Sequence, residues 1–210
     1  MSAFIYLHGF ASSPQSAKAL FFSECFRAKQ LPLQVPDLNQ EDFFHLTLTR
    51  QLQQVQRLFP AESPVTLIGS SFGGLTSAWL GERFPQVERL VLLAPAFQFL
   101  NHWRPKIGMD QMQRWQTEQS MLVYHYGAKQ MLPLSYQFIT DMAQYNETTL
   151  KRSVPTLILH GIHDDVIHIQ ASRDYAVMRP WVDLIELNSD HALVDVQHDI
   201  WQAIQTFCNL

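Results

Sequence analysis

The chain has 210 residues, 47% of them hydrophobic and 16% charged, enough length and apolar content for one domain with a substantial core. Its net charge of -4 comes from 15 Lys+Arg against 19 Asp+Glu, and without basic runs it argues against a nucleic-acid surface, where clustered cations would face phosphates. No apolar stretch reaches the ~18 residues of a membrane span, and two cysteines, Cys25 and Cys208, are too few for a disulfide framework. They read as packing thiols in a reducing compartment.

The stretch from Met1 to Phe10 has neither the charged start nor the long apolar core of a secretory signal, so a cytoplasmic location is expected. Its apolar run Ala3–Leu7 is the first candidate strand. A helical pattern at about Ala17–Lys29 follows, then a short strand at Leu33–Val35 and a helix at about Phe43–Phe59. Next come a strand at Val65–Ile68, a helix at about Phe72–Phe84 and a strand at Leu90–Leu93. After a long interval the pattern resumes with a strand at Thr156–Leu159, a helix at about Gln170–Met178, a strand at Leu184–Leu187 and a helix at about Val194–Phe207. Pro85 and Pro180 fall just past two of these helices, where a helix should stop. Continuous apolar strands alternating with helices predict an α/β fold: a mostly parallel sheet of about six strands with helices on both faces.

The interval from about Phe97 to Lys151 breaks this regularity. It holds two helix-like segments, no clear strand and many aromatics, among them Phe97, Phe99, Trp103, Trp115, Tyr136 and Phe138. An insertion of roughly 50 residues in an α/β repeat is expected to form a small helical cap over the strand ends. Most of its aromatics should be packing residues, with one or two available to a ligand.

The strongest chemical signal is Gly69-Ser70-Ser71-Phe72-Gly73, between a strand and a helix. A nucleophile on so tight a turn needs small residues two positions away on each side. Centred on Ser71 these are Gly69 and Gly73; centred on Ser70 they would be Ile68 and Phe72, which would clash. Ser71 is therefore the candidate nucleophile. The competing reading, a glycine-rich packing turn or phosphate loop, lacks dinucleotide or Walker spacing.

A serine nucleophile needs a base, and the base needs an orienting carboxylate. In the order Ser, acid, His, the loop after Thr156–Leu159 supplies Asp164, with Asp165 as competitor, and the loop after Leu184–Leu187 supplies His191. Loop position favours Asp164. Asp190, beside His191 in sequence, reads as a capping or solvated residue, and His198 as part of a solvated helix face with Asp195 and Asp199. His160, His163 and His168 superficially suggest a metal motif but lack the i, i+4 helical pair of a zinc site, so no metal is expected. The oxyanion formed on attack needs two N–H donors. The backbone amides of Phe72, after Ser71, and Phe10, in the loop after the first strand, are the candidates.

With these residues assembled, the chain resembles the α/β-hydrolase superfamily over nearly its whole length. More narrowly, it looks like the small bacterial YqiA-like esterases. That resemblance rests on Tyr6-Leu7-His8-Gly9-Phe10 with Ser12-Ser13-Pro14 and Ser16-Ala17-Lys18, on Gly69-Ser70-Ser71-Phe72-Gly73-Gly74, on Asp164-Asp165-Val166-Ile167 and on Asp190-His191-Ala192. It implies a Ser71–His191–Asp164 triad, hydrolysis of a small-molecule carboxylic ester or acyl thioester, and no cofactor. A carbon–carbon bond hydrolase or a peptidase would use the same three residues. A non-catalytic binding protein on this fold is the rival from a different class, and it usually lacks a member of the triad.

Overall fold

The computed structural model describes residues 2–210. In chain order its elements are β1 (Ala3–Leu7), α1 (Ala17–Ala28), β2 (Leu33–Gln34), α2 (Leu48–Gln56), β3 (Val65–Ser70), α3 (Phe72–Arg83) and β4 (Val87–Leu93). There follow α4 (Phe99–Ile107), α5 (Met109–Glu118), β5 (Ser120–His125), β6 (Gln130–Ser135), α6 (Gln137–Met142) and a short 3-10 turn at Glu147–Thr149. The chain ends with β7 (Thr156–Gly161), α7 (Gln170–Val177), β8 (Val182–Leu187) and α8 (Gln197–Cys208).

Six strands form one sheet in the order β2-β1-β3-β4-β7-β8, and every adjacent pair in it is parallel. Because strand side chains alternate between faces, each central strand feeds two cores. Ile5, Leu7, Leu67, Leu90, Leu92 and Ile158 pack on one face with residues of α2, α3 and the 97–151 segment. Phe4, Tyr6, Ile68, Val91, Leu93, Leu157 and Leu159 pack on the other with α1 and α8. Burial on both faces explains the unbroken Val/Ile/Leu runs of the central strands.

Two expectations need correction. The helix predicted at Phe43–Phe59 is confined to Leu48–Gln56. Thr47 caps it by accepting a bond from the Arg50 amide at 3.1 Å, and Phe43 is freed to pack its ring 5.8 Å from Phe10. The 97–151 segment is not purely helical, since β5 and β6 form an antiparallel hairpin, with Leu122 opposite Pro133 and Tyr124 opposite Met131. All but Pro133 of these four are exposed large hydrophobics, so the hairpin lacks the polar-out alternation that would mark it in sequence, and Pro133 further masks it.

The β5–β6 hairpin and its flanking helices are fastened to the sheet-bearing part of the chain. Within the segment, the Trp115 indole of α5 donates to the Leu134 carbonyl of β6 at 2.9 Å. The Ser135 amide bonds to the Phe44 carbonyl at 2.9 Å, and the Gly127 amide to Ala11 at 3.3 Å. Asp141 in α6 accepts the Thr49 amide of α2 at 3.0 Å.

Candidate active site

The loops after β1, β3, β7 and β8 gather at the carboxyl edge of the sheet, and the strand order reverses between β1 and β3, since the chain runs from β1 outward to β2 on one side and from β3 outward to β4 on the other. β3 ends at Ser70 and α3 begins at Phe72, so Ser71 alone makes the turn, with φ 53° and ψ -116°. This strained backbone is held from β4 and the turn after it: the Ser71 amide donates to the Leu93 carbonyl at 2.8 Å, and the Ala96 amide donates to the Ser71 carbonyl at 3.0 Å. The steric argument for glycine at 69 and 73 has a direct counterpart. A Cβ on Gly69 would stand 2.3 Å from the Gly73 carbonyl oxygen, and one on Gly73 would stand 2.1 Å from that of Leu7. Ser70 is buried, whereas Ser71 is partly open.

The structure brings Ser71, His191 and Asp164 together although they lie on three separate loops. Ser71 Oγ is 3.0 Å from His191 Nε2, and His191 Nδ1 is 2.7 Å from Asp164 Oδ2. With Nδ1–H donated to the carboxylate, Nε2 is left to accept the serine proton. Asp164 Oδ1 accepts the amides of Val166 and Ile167, both at 2.8 Å. Burial alone would push the Asp164 carboxyl up. The bonds from His160 and His191, the His191 charge and the Ile167 amide outweigh it and hold the group well below the usual carboxylate range.

The competing residues lie elsewhere. Asp165 is exposed, and its carbonyl accepts Lys106 Nζ of α4 at 2.8 Å. Asp190 caps its own turn, accepting the Ala192 amide at 2.8 Å. His163 bonds Asn188 at 2.9 Å, and His198 is an exposed ring 5.3 Å from Phe21. Among the described residues, no three His, Cys, Asp or Glu side chains are grouped as metal ligands.

Two contacts were not read from the sequence. His160, at the buried end of β7, places Nε2 2.9 Å from Asp164 Oδ2. Lys18 of α1 reaches the His191 carbonyl at 3.4 Å, and burial pulls its ammonium down to about 8 against the pull of Asp164 and Asp190. The only sequence signal for His160 was its place in the superficially metal-like pattern with His163 and His168, which does not point to Asp164. Lys18 carried none beyond its place in the Ser16-Ala17-Lys18 motif.

On the β1 side, Gly9 lies against the serine: a Cβ built there would be 3.5 Å from Ser71 Cβ and 4.0 Å from its Oγ. The loop is braced by His8, whose Nε2 accepts the Leu38 amide at 3.0 Å, and by Asn39, which donates to the Ser12 carbonyl at 2.7 Å. The Phe10 ring sits among those of Phe43, Phe72, Phe99, Trp103 and Phe138, with centroids 5.2 to 6.0 Å away. A cavity of about 1100 Å³ opens farther off, between α4, the 3-10 turn and α7, lined by Phe99, Glu147, Tyr175 and Arg179 among others. Ser71, Asp164 and His191 do not line it.

A parallel six-stranded sheet whose third strand turns through a strained serine into a helix defines the α/β-hydrolase fold, and solved structures agree. Alpha/beta hydrolase domain-containing protein 10 from mouse is 19% identical with a TM-score of 0.77, covering 99% of this chain and 89% of its own. Est1E from Butyrivibrio proteoclasticus with ferulic acid bound is 14% identical with a TM-score of 0.83, covering 100% and 88%. A pyrethroid hydrolase from Sphingobium faniae is 18% identical with a TM-score of 0.69, covering 99% and 97%. At such identities the shared property is the fold. No curated protein sequence matches the chain. Within that fold class, the chain belongs to the uncharacterised protein family UPF0227, whose model matches residues 3–208. This is the family of the YqiA-like proteins that its motifs resemble.

Proposed function

We propose that this protein is a serine hydrolase that cleaves carboxylic esters or acyl thioesters through an acyl-enzyme. The observation that carries the reading is the continuous chain from Ser71 Oγ to His191 at 3.0 Å and from His191 to the Asp164 carboxylate at 2.7 Å, set on a strained turn that presents the hydroxyl. Such a turn has a cost of order 1–3 kcal/mol, and it persists where the surroundings enforce it.

In the reaction, Ser71 Oγ attacks the acyl carbon while its proton passes to His191 Nε2. The ionised Asp164 fixes the imidazole tautomer and stabilises the imidazolium. The backbone amides of Phe10 and Phe72 hold the oxyanion. His191 then gives its proton to the departing alcohol or thiol, leaving the acyl group on Ser71. Water surrenders a proton to His191, attacks the acyl carbon and releases the acid, and Ser71 recovers its proton. The hydrolase name and the bound ferulic acid of two structural neighbours support the same reading.

The test is turnover of Ser71→Ala on p-nitrophenyl esters and acyl thioesters of graded chain length. Loss of turnover by about 10⁴-fold or more is expected. Wild-type turnover in the variant would refute the assignment, and absence of turnover in both proteins would favour a ligand-binding role for the fold.

A further inference from the structure

The Asp164 carboxylate is approached by two histidines. Its Oδ2 accepts His191 Nδ1 at 2.7 Å and His160 Nε2 at 2.9 Å. His160 Nε2 also faces the Ile167 carbonyl at 3.0 Å. Two acceptors around one ring nitrogen require that nitrogen to carry its hydrogen. Nδ1 is then left with a lone pair, and it lies 2.7 Å from Ser172 Oγ in α7, so the Ser172 hydroxyl donates to it. The result is a line of five side chains, Ser71–His191–Asp164–His160–Ser172, with the carboxylate at its centre. His160 and Ser172 are both fully buried, so neither meets the substrate.

We propose that His160 and Ser172 are positioning residues: Ser172 fixes the His160 tautomer, and His160 orients the Asp164 carboxylate and limits how strongly it holds the proton of His191. This rests on the serine-hydrolase reading of Ser71. A carboxylate oxygen shared between two N–H donors carries less negative charge toward either one. With His160 in place, Asp164 stays ionised and fixed in direction, yet holds His191 protonated less tightly than a lone carboxylate would. The base that must be neutral to accept the Ser71 proton is thereby kept available.

Other charged groups reach this line from each neighbouring element. His168 and Asp165 share the loop after β7, and Glu186 of β8 pairs in register with His160. His102 and Lys106 approach from α4, and Lys18 from α1 beside Asp190. All remain unchanged in the variants below, so a difference in pH response reports on the His160 contact.

The experiment measures kcat, KM and the pH profile of kcat/KM for the full chain on one p-nitrophenyl ester, with His160→Leu, His160→Gln, Ser172→Ala and Ser71→Ala side by side. For His160→Leu we expect kcat to fall by roughly 10- to 100-fold, the scale on which outer hydrogen-bond partners act, with KM within about twofold. The acid limb of its profile should move up by about half a pH unit or more, because Asp164 with one donor fewer holds the His191 proton harder. His160→Gln, which returns an N–H near the Nε2 position, should recover most of the rate and bring the limb back. Ser172→Ala should move the limb in the same direction by less, and it decides the matter if His160→Leu does not fold. A folded His160→Leu, or failing that Ser172→Ala, with the wild-type limb overturns the proposal. So does a Gln variant as impaired as Leu. If Ser71→Ala abolishes turnover while the limb stays fixed, this inference alone fails; if Ser71→Ala retains turnover, the hydrolase reading fails with it.

Discussion

Asp164 shows how a single carboxylate is shaped by its surroundings at the scale of one residue. It is buried, which disfavours its charge, yet it accepts four hydrogen bonds from Val166, Ile167, His160 and His191. Its folded pKa is thus depressed below the unfolded value of about 3.9. A depressed carboxylate contributes stability that is present above the unfolded pKa and is lost as pH falls through the lower, folded one. The stability advantage of wild type over Asp164→Asn, read from urea midpoints, should therefore hold at pH 7 and shrink below about pH 4. The same substitution reverses the tautomer preference of His191, and kcat should fall on the order of 10⁴-fold. An Asn variant of near-normal kcat would remove Asp164 from the mechanism.

Much at this scale was legible in the sequence because it follows from sterics and chain order. Gly69 and Gly73 single out Ser71, and two later loops could supply only a few acids and histidines. The role of His160 was not legible. It depends on which lone pair of Asp164 is still open and on Ser172 arriving from another helix, and neither leaves a spacing pattern in one sequence.

Among the elements, the 97–151 segment departs most from expectation, and two of its contacts explain how it is held. One residue past its end, the Arg152 guanidinium donates to the carbonyls of Gly81, Phe84, Val87 and Pro85, pinning the turn from α3 to β4. Truncating Arg152→Ala leaves those carbonyls without this charged donor and should cost at least about 2 kcal/mol in chemical denaturation. Glu147 accepts the Gln98 amide with both oxygens, at 2.8 and 3.1 Å, at the start of α4. Burial nevertheless pushes its carboxyl up to about 7, ahead of the Gln98 bond and the Arg179 charge that oppose it. For an acid raised above its unfolded value, ionisation weighs against the folded state as pH rises from about 4.3 toward 7. Glu147→Gln should thus gain on wild type in thermal midpoint from pH 4 to pH 8, and a constant difference would contradict this. The hairpin escaped sequence reading because helix and strand periods are recognised by an apolar side facing a core, and Leu122, Tyr124 and Met131 face solvent instead.

Over the whole molecule, the sheet separates two cores that share every central strand. The core beneath α2 and α3 is continuous with Trp115, Leu134 and Phe138 of the 97–151 segment, so we expect that segment to unfold with the sheet as one unit. The five tryptophans report on this from α3, α4, α5, α8 and the turn before β8, at Trp79, Trp103, Trp115, Trp201 and Trp181. Their fluorescence and the far-UV circular dichroism should give coincident urea transitions; separated midpoints would mean a segment that opens alone. On the opposite face, Ile200→Ala in the fully buried seam of α8 should cost about 2–5 kcal/mol. The parallel order of the sheet was readable because each buried strand is a plain apolar run.

The proposed chemistry rests on one hydroxyl, that of Ser71. The most direct test is mass spectrometry of the protein after reaction with a fluorophosphonate, which traps an activated serine covalently. A single adduct on the peptide containing Ser71, absent in Ser71→Ala and much slower to form in His191→Ala, is the predicted result. An adduct on another residue, or an unmodified wild-type protein, would contradict the assignment of Ser71 as the nucleophile.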